Sequence, residues 1–570
     1  MDVVTRYLFA RIRLGMLVPR ERRNSFKANV SEREEIDMRG AAEQFDYIVI
    51  GAGSAGAAVA NRLSADSKIR VLVLEAGGTG HFWSRIPIGY AKLIDNPLAN
   101  WCYSSEPDEG TGNRRIPVPR GKLLGGSSSI NGMVFVRGQA QDYDHWAQLG
   151  NRGWSYNDVL PIFKNMESYD GGDDAYRGRD GLLRVTDTDQ KGPLYDALIA
   201  GAESIGLPYN PDYNGAQQEG IAMTQTTISG GRRMSTARAY LEPARNRTNL
   251  QIETGAMTEC LLLEGKRCVG VRYSVGGSVR EARAGREVML SAGSINSPQL
   301  LELSGIGNPE ILKACGVDVL HELPGVGENL RDHYSPRMRY RIAKPDWTYA
   351  VHGRGVRLVG QVLKYITKGE GLLSMTAVPV RAYFKTREGL EAPDATASCL
   401  PFWVEDRKKI SAQPGLTLNV NVLRSDSQGS IHIGSSDPGT QPQIKFNFLS
   451  SELDRTGLLA AMRKGREWMG SEPLKEVISE EFTPGSDLQT DDELLEWVRN
   501  NAETTYHPVG TCKMGQDNMA VVDDRLRVRG IEGLRVADAS IMPTLTSGNT
   551  NAPSIMIGEK ASMMMLEDAK

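Results

Sequence analysis

The first regular pattern of apolar and polar positions begins at Phe45. Residues 47–50 (YIVI) form a short run of apolar, mostly β-branched side chains, which is typical of a buried parallel strand. Residues 57–63 have helical character and end at Ser64, and a second apolar run, residues 71–74 (VLVL), follows. This order predicts a strand–helix–strand unit near the start of the folded chain.

The turn between the first strand and the helix has the sequence GAGSAG, residues 51–56. Gly51 permits a tight turn, Gly53 lets the backbone approach a pyrophosphate, and Gly56 allows the helix to pack closely on the strand. The helix N-terminus offers unpaired N–H groups to phosphates, and a carboxylate at the end of the second strand can accept hydrogen bonds from ribose hydroxyls. The unit predicts a site for NAD or FAD formed by Gly51, Gly53, Ser54, Ala55, Gly56 and Glu75.

Later apolar runs extend the pattern over the rest of the chain. Residues 287–291 form a predicted strand that runs into a helix near Gln299, and residues 534–537 form another that ends at Asp538. Between them, residues 336–495 contain alternating strands. These patterns predict an α/β fold, in which a Rossmann-like domain is assembled from separated segments and a substrate-binding domain is inserted between them. The length of 570 residues suits two such domains.

The composition narrows the class of protein. Hydrophobic residues make up 40% of the chain and charged residues 24%, as in ordinary globular proteins. The net charge of −3 and the lack of a basic stripe give no indication of a nucleic-acid partner. The six cysteines have no metal-ligand spacing, so they predict no metal site and fit the reduced thiols of a cytoplasmic protein. No apolar run reaches the roughly 18 to 20 residues that a membrane-spanning helix requires.

Residues 1–44 form an N-terminal extension with a different pattern. From Arg6 to Arg23, arginines alternate with apolar residues. Because the arginines interrupt the apolar stretch, it does not fit the continuous apolar core of a secretory signal. Three interpretations stay open: an arginine-rich transit peptide, a basic amphipathic helix on a membrane surface, and a segment without function, which is either a stretch upstream of a start near Met38 or a disordered tail.

Blocks of sequence further along the chain resemble the signatures of one enzyme family. Residues 119–132 (PRGKLLGGSSSING) are similar to the first signature of the glucose–methanol–choline oxidoreductases. Residues 291–298 (SAGSINSP), followed by residues 304–307 (SGIG), are similar to the second. Residues 324–330 (PGVGENL) and the C-terminal run over residues 506–551 resemble two further family blocks. In the family's order, these blocks span most of the chain.

This resemblance implies a bound FAD and a substrate-binding domain whose mainly antiparallel sheet covers the flavin ring. The FAD-binding domain is then expected over residues 45–335, with some substrate-domain insertions, the substrate-binding domain over 336–495, and a C-terminal FAD-domain segment over 496–570. Some relatives attach the flavin through a histidine in the first signature, where this chain has Ile130, so non-covalent FAD is expected. Further FAD contacts are expected at Gly125, Gly126, Ser128, Asn131, Gly132, Met257, Asp538, Asn551 and Pro553.

The family's chemistry also implies a catalytic pair. Alcohol oxidation removes the hydroxyl proton while hydride passes to flavin N5. The resemblance places the catalytic histidine at His507, and an imidazole with an ordinary pKa of about 6.5 suits proton exchange near neutral pH. It places the partner at Asn549, whose amide can donate a hydrogen bond to the substrate oxygen. The other six histidines are interpreted as structural or surface residues, and Cys512 as a buried structural thiol.

The substrate is less well defined. The pattern is similar to that of bacterial alcohol and choline dehydrogenases, but choline recognition in that subgroup uses an aromatic cage and a carboxylate. Pro379 stands where the subgroup has its glutamate. Arg381 either binds a carboxylate or other acceptor of the substrate or lies on a surface strand, and the surface position is favoured. Four aromatic residues are candidates for the pocket, although core packing is the favoured interpretation for each: Tyr349, Tyr383, Phe402 and Trp403.

The expected activity is FAD-dependent oxidation of a small-molecule alcohol to an aldehyde or ketone, by a dehydrogenase rather than an oxidase. The electron acceptor stays open among a quinone, another carrier and O2. A basic N-terminal extension would fit a cytoplasmic enzyme that contacts the inner membrane peripherally. Hydroxynitrile lyases and fatty-acid photodecarboxylases share the scaffold and are the alternatives, but the intact histidine–asparagine context favours alcohol oxidation.

Overall fold

Two β-sheets dominate the part of the chain that the computed structural model describes, residues 43–405 and 409–570. Their strands, in chain order, are Glu43–Ile50 (β1), Val71–Glu75 (β2), Gly220–Met223 (β3), Leu250–Thr254 (β4), Ala256–Glu264 (β5), Arg267–Val275 (β6), Ser278–Leu290 (β7), Arg337–Ile342 (β8), Val380–Phe384 (β9), Ala395–Leu400 (β10), Gly415–Val422 (β11), Ile478–Thr483 (β12) and Leu534–Val536 (β13).

Helices of nine residues or more pack around these sheets. Within the described residues they are Ser54–Leu63 (α1), Ala140–Gln148 (α2), Tyr156–Met166 (α3), Pro193–Ser204 (α4), Gly293–Leu303 (α5), Gly355–Lys368 (α6), Glu452–Met469 (α7), Asp491–Asn501 (α8) and Asn551–Asp568 (α9). No helix among residues 43–405 and 409–570 combines the length and the apolar character needed to cross a bilayer.

The first sheet has the order β4-β2-β1-β7-β6-β5, with β13 also paired to β7. Strands β4, β2, β1, β7 and β13 pair in parallel, and β5, β6 and β7 pair antiparallel. Every residue of β2 is buried, as its apolar sequence requires for a strand covered on both faces. The predicted strand–helix–strand unit, β1-α1-β2, and the α/β fold are therefore confirmed.

Strand β7 is longer than predicted because its first half belongs to a hairpin. It begins at Ser278, well before residue 287, and pairs antiparallel with β6. The two-residue turn consists of Gly276 and Gly277, whose φ angles are 58° and 86°. Positive φ at both turn positions matches the twist of a tight hairpin and favours glycine. The polar pattern of this half gave no sign of the pairing.

The second sheet is antiparallel throughout, with the order β12-β8-β11-β10-β9-β3. One face of β11 is apolar, with Leu416, Leu418 and Val420 fully buried in the core that also contains residues of α7. The opposite face carries polar side chains. This sheet has the antiparallel character predicted for the substrate-binding domain, and β3 joins it from within residues 45–335. The exact domain boundaries stay a prediction.

The N-terminal extension lies almost wholly outside the described residues, so the three interpretations of its pattern stay open. All six cysteines are free thiols. Cys512 is fully buried, and burial raises the pKa of its thiol far above the ordinary value, which fits the structural role predicted for it.

Candidate active site

A cavity of about 480 Å³ extends from the glycine-rich turn after β1 to the polar face of the second sheet. At one end it is lined by Gly51, Gly53 and Glu75, and at the other by His507 and Asn549. Cofactor sites and substrate sites of this volume are usual in enzymes. The cavity therefore brings the predicted dinucleotide site and the predicted catalytic pair into one space.

The end of the cavity near β1 offers hydrogen-bonding groups suited to a dinucleotide. Helix α1 begins after Gly53 and has no side-chain cap, so its first N–H groups are free of side-chain acceptors. The Glu75 carboxylate accepts hydrogen bonds from the N–H groups of Ala52, at 3.0 Å, and Gly77, at 2.8 Å. Burial raises the pKa of Glu75 to about 7.

Of the fifteen residues predicted to bind the cofactor, eleven line this cavity: Gly51, Gly53, Ser54, Ala55, Glu75, Gly126, Asn131, Gly132, Met257, Asp538 and Asn551. The Asp538 carboxylate accepts hydrogen bonds from Gly293 N, at 2.8 Å, and from the Ser297 hydroxyl, at 2.6 Å. It thereby ties the end of β13 to the start of α5. The signature loop lies close to the turn, since a Cβ on Gly126 would come within 2.8 Å of Gly53 Cα.

The remaining four residues support the cavity without lining it. A Cβ on Gly56 would lie 1.9 Å from the Gly51 carbonyl oxygen, so this glycine allows α1 to pack on the turn. Gly125 has a φ of 87°, and Ser128 donates a hydrogen bond to its carbonyl oxygen at 2.6 Å. Pro553 is buried within α9. That these four contact the cofactor itself stays a prediction.

The predicted catalytic pair is in direct contact. Asn549 Nδ2 lies 2.9 Å from His507 Nε2. The other end of the same amide, Oδ1, accepts a hydrogen bond from Arg381 Nη1 at 3.2 Å. Because arginine can only donate, this contact fixes the amide with its N–H groups directed toward His507. An alcohol oxygen beside Nε2 would thus meet both a proton acceptor and an amide donor.

A second histidine, His333, determines where His507 carries its proton. His333 Nε2 lies 2.8 Å from the Leu423 carbonyl oxygen, which only accepts, so Nε2 is protonated. Burial lowers the pKa of His333 to about 4, so the ring is neutral and its Nδ1 is a bare acceptor. This atom lies 3.0 Å from His507 Nδ1, which must therefore carry hydrogen. His507 Nε2 is left unprotonated and faces the cavity.

The surroundings of His507 keep its imidazole neutral. Burial, together with nearby His333, Arg120 and Arg381, lowers the pKa of His507 well below 6.5. A neutral imidazole is the form that can accept a proton. Thr505 Oγ1 lies 2.9 Å from His507 Nδ1 and can share its hydrogen. The base is therefore in its active form at neutral pH.

A short antiparallel ribbon holds the two histidines together. It pairs Tyr334–Ser335 with Glu503–Thr504, and Thr505 N donates to the His333 carbonyl oxygen at 2.9 Å. The buried Asp332 carboxylate accepts a hydrogen bond from His507 N at 2.9 Å. Burial raises the pKa of Asp332 to about 7.

Of the two interpretations of His333, structural or surface, the surface one is wrong, because the residue is 1% exposed. Its side chain faces the cavity and contacts His507 directly. The one local signal was the position of His333 directly after the 324–330 family block.

The favoured surface position for Arg381 is also wrong. Its side chain is only 5% exposed and lines the cavity. It lies in β9, and alternation along the strand placed it on the polar inner face instead of outside. Of the four candidate pocket aromatics, Tyr383 and Phe402 line the cavity. Tyr349 instead stacks on Phe402 with ring centroids 5.6 Å apart, and Trp403 packs on Phe482.

Comparison with known proteins identifies the family. Sequence profiles of GMC oxidoreductases match residues 45–335 and 425–558. The chain belongs to the GMC oxidoreductase family. It is 43% identical over 528 residues to an oxygen-dependent choline dehydrogenase of Chromohalobacter salexigens, covering 91% of this chain and 94% of that protein. It is 44% identical over 538 residues to an Escherichia coli protein of the same name, covering 92% and 95%.

Solved structures of other GMC oxidoreductases have the same fold. Pyridoxine 4-oxidase from "Mesorbium loti" superposes with a TM-score of 0.83 at 30% identity, covering 91% of this chain and 98% of that one. A formate oxidase superposes with a TM-score of 0.86 at 25% identity, covering 92% and 99%. This GMC oxidoreductase is accordingly an FAD-dependent enzyme that oxidises CH–OH groups.

The cavity of this GMC oxidoreductase fits its cofactor. Gly132 and Gly293 both line it, and a Cβ at either position would have no atom within 4 Å, so the backbone is open to a planar ligand there. Ile130 lines the cavity where some relatives have the histidine that bonds the flavin. An isoleucine side chain has no nucleophilic atom, which fits non-covalent FAD.

Proposed function

We propose that His507 Nε2 takes the hydroxyl proton of the alcohol substrate while Asn549 holds the substrate oxygen. The observation that carries this proposal is the 2.9 Å contact between His507 Nε2 and Asn549 Nδ2, which face one cavity with the dinucleotide turn. A hydroxyl that inserts between these two atoms replaces their direct hydrogen bond, donates to the nitrogen and accepts from the amide. The amide donor also stabilises negative charge on the oxygen as the proton leaves.

The chemistry that FAD supplies when bound is the acceptance of a hydride at N5. The substrate loses its O–H and C–H bonds and gains a carbonyl double bond, so one proton and one hydride leave it. His507 holds the proton as an imidazolium, with both ring nitrogens then protonated. His333 Nδ1 accepts the Nδ1–H hydrogen bond in both states, so the ring keeps its orientation through the reaction.

We propose the FAD contacts on the same basis. The α1 N-terminus and Gly53 would hold the pyrophosphate, and Glu75 would hold the ribose hydroxyls. Asn131, Gly132 and Met257 would border the remaining cofactor surface in the cavity. The other cavity-lining residues predicted as FAD contacts, namely Gly51, Ser54, Ala55, Gly126, Asp538 and Asn551, complete this proposed set.

Choline is the substrate named in the relatives' descriptions, and their identity of 43–44% makes it the second candidate. Against it, the only carboxylates that line the cavity among the described residues are Glu75 and Asp538, and backbone N–H groups already occupy both. Neither belongs to the second sheet, since Glu75 ends β2 and Asp538 follows β13. A carboxylate that faces the choline ammonium is therefore lacking on that sheet.

For the electron acceptor we propose a quinone or another carrier, with O2 as the alternative, for an enzyme that acts as a dehydrogenase. We also propose a cytoplasmic location with peripheral contact to the inner membrane through residues 1–44. The alternating arginines and apolar residues of that extension support this proposal. Sedimentation of the full chain with anionic lipid vesicles tests it, and a chain that stays in the supernatant would contradict membrane contact.

The proposed function is tested by mixing the FAD-loaded enzyme anaerobically with primary alcohols, choline and hydroxy acids. Alcohol oxidation predicts bleaching of the flavin absorbance, with one carbonyl product formed for each flavin reduced. A flavin that stays oxidised with every alcohol would contradict the proposal. Release of cyanide from a cyanohydrin, or of a hydrocarbon from a fatty acid only under blue light, would instead support a lyase or a photodecarboxylase.

A further inference from the structure

Arg381 is a buried cation that has only neutral partners. Its Nη1 donates to the Tyr383 hydroxyl at 2.8 Å and to Asn549 Oδ1 at 3.2 Å, and its Nη2 donates to the Ser398 hydroxyl at 3.2 Å. Its Nε has no hydrogen-bond partner in the described structure. No carboxylate of the described residues forms an ion pair with it, although most other buried arginines, such as Arg177, have one.

Strands β3 and β8 to β11, which surround Arg381 in the sheet, contain no acidic residue. Four paired residues form a row across neighbouring strands of this sheet. The row consists of Arg381 on β9, Ser398 on β10, Asn419 on β11 and Arg337 on β8. All four side chains line the cavity. Arg337 at the far end is neutralised by Glu503, at 2.7 Å, whereas Arg381 beside the catalytic pair is not. The row therefore leaves one uncompensated positive charge next to His507.

From this arrangement we infer that the substrate is an alcohol that carries a carboxylate or an equivalent anionic group, and that Arg381 binds this group. The inference rests on the proposed function, whose substrate class it names. An isolated charge inside a protein is unfavourable unless a counter-charge pairs with it, and a guanidinium matches a carboxylate through two parallel hydrogen bonds. The guanidinium lines the cavity, where such a group can supply the negative charge that its neutral partners do not.

The position of Arg381 also limits the size of the substrate. Its Nη1 contacts the same Asn549 amide that faces His507 Nε2, so the anion and the reacting hydroxyl lie a few atoms apart. A short hydroxy acid satisfies this spacing. A quaternary ammonium in the same place would meet the guanidinium at close range in a poorly screened site, which disfavours choline.

A competing role for Arg381 is to orient Asn549 alone, through the hydrogen bond to Oδ1. The two roles differ in a measurable way. An orienting residue affects all alcohols alike, because every alcohol uses Asn549. An anion-binding residue affects charged alcohols far more than neutral ones, so the ratio between matched substrates separates the roles.

The test uses three alcohols of the form HOCH2CH2–X, in which X is a carboxylate (3-hydroxypropanoate), a tert-butyl group (3,3-dimethyl-1-butanol) or a trimethylammonium group (choline). The rate of anaerobic flavin reduction is measured against the concentration of each alcohol with the FAD-loaded enzyme. The quantity compared is the rate constant of flavin reduction divided by the dissociation constant of the alcohol. We expect this ratio to be on the order of 10²-fold higher for 3-hydroxypropanoate than for the neutral alcohol, and lowest for choline.

The variants are Arg381→Met and Arg381→Lys, with Arg152→Met as the control. Arg152 is a surface residue whose side chain is 89% exposed, so its variant should keep the wild-type preference. Arg381→Met should lose the preference for the carboxylate over the neutral alcohol, and Arg381→Lys should retain part of it. Binding of propanoate, measured as a change in the oxidised flavin spectrum, should be lost in Arg381→Met and kept in Arg152→Met.

Several outcomes would overturn the inference. One is a wild-type preference for choline or for the neutral alcohol. Another is an equal loss of flavin-reduction rate with all three alcohols in Arg381→Met, which would show that Arg381 only orients Asn549. If no alcohol reduced the flavin, the proposed function would fail. Propanoate binding to wild type and to Arg381→Met would then show by itself whether Arg381 binds an anion, since that measurement needs no turnover. If Arg381→Met bound no FAD, the three-alcohol comparison with wild type and Arg381→Lys would decide.

Discussion

At the scale of single residues, the active site is organised by the direction of hydrogen bonds between neutral groups. The Leu423 carbonyl sets the proton of His333, which sets the proton of His507, and the Arg381 guanidinium sets the Asn549 amide. Each of these assignments follows from a group that can only donate or only accept. The unprotonated His507 nitrogen therefore accepts the Asn549 N–H at the cavity wall before any substrate binds.

Replacing His333 tests this arrangement. His333→Leu removes the acceptor for His507 Nδ1–H, so the ring can turn or exchange tautomers, and flavin reduction should slow by about tenfold, the value of one hydrogen bond of roughly 1.4 kcal/mol. His333→Asn, whose amide oxygen can accept the same hydrogen, should recover part of the rate. Stopped-flow reduction at saturating alcohol measures both, and FAD content serves as the control for folding. Equal rates in both variants and the wild type would contradict the positioning role.

The pH dependence of flavin reduction follows from the environment of His507. Its folded pKa is lowered below 6.5, so the neutral base persists as the pH falls, and protonation removes it only at a pH well below 6.5. The reduction rate at saturating alcohol should therefore stay level from about pH 8 to about 6.5. Stopped-flow rates across this range check it. A rate that halves near pH 6.5 would show an ordinary histidine.

The sequence predicted part of this site. His507 and Asn549 were identified because the C-terminal block resembles the family's catalytic segment. His333 was missed because it lies 174 residues from His507, and only the pairing of two short strands brings them together. Arg381 was misplaced because a strand pattern shows which residues share a face but not whether that face is buried.

At the scale of secondary-structure elements, the glycines of the β1–α1 turn have two separate functions. Gly56 lies against the Gly51 carbonyl oxygen and permits helix packing. Gly53 faces the cavity, and the nearest atom to an added Cβ would be Gly126 Cα, at 3.9 Å. The same substitution should therefore have different consequences at the two positions.

Gly53→Ala should leave the fold intact and weaken FAD binding, because the new methyl group enters space that the cofactor needs. Gly56→Ala should lower the free energy of unfolding by about 1–3 kcal/mol or more, because its methyl group cannot fit against the backbone. Urea denaturation of the FAD-free variants and titration with FAD distinguish the two effects. The assignment would be wrong if Gly56→Ala proved as stable as Gly53→Ala.

The elements themselves were largely predictable. The strand–helix–strand unit was clear because buried parallel strands need continuous apolar runs, as in residues 47–50 and 71–74. The β6–β7 hairpin was not, since its outer half alternates polar residues on a solvent-facing ribbon. The membership of Gly220–Met223 in the second sheet could not be predicted either, because sheet pairing between distant segments has no local signal.

At the scale of the whole molecule, the cavity joins the two sheets. The residues that line it come from both, with β1, β2 and β5 of the first sheet contributing at one end and β8 to β11 of the second at the other. A cofactor in this space would contact both sheets at once. We therefore expect FAD to stabilise the whole of the described structure and not only the sheet that binds its nucleotide.

Removal of FAD tests this coupling. A ligand present at 1,000 times its dissociation constant stabilises the folded state by about 4 kcal/mol. The FAD-free enzyme should unfold at a lower temperature, and near-UV circular dichroism and tryptophan fluorescence should report the loss of both sheets together. Calorimetry with and without added FAD gives the shift. Two separate unfolding transitions, only one of which shifts with FAD, would contradict the coupling.

In the proposed mechanism, His507 is the base that removes the hydroxyl proton. Its most direct test is single-turnover, anaerobic flavin reduction in wild type, His507→Ala and the control His145→Ala, which replaces an exposed histidine of α2. His507→Ala should keep its yellow FAD but reduce it ~10²–10⁴ times more slowly, and His145→Ala should match wild type. Reduction of the flavin at the full wild-type rate in His507→Ala would contradict it.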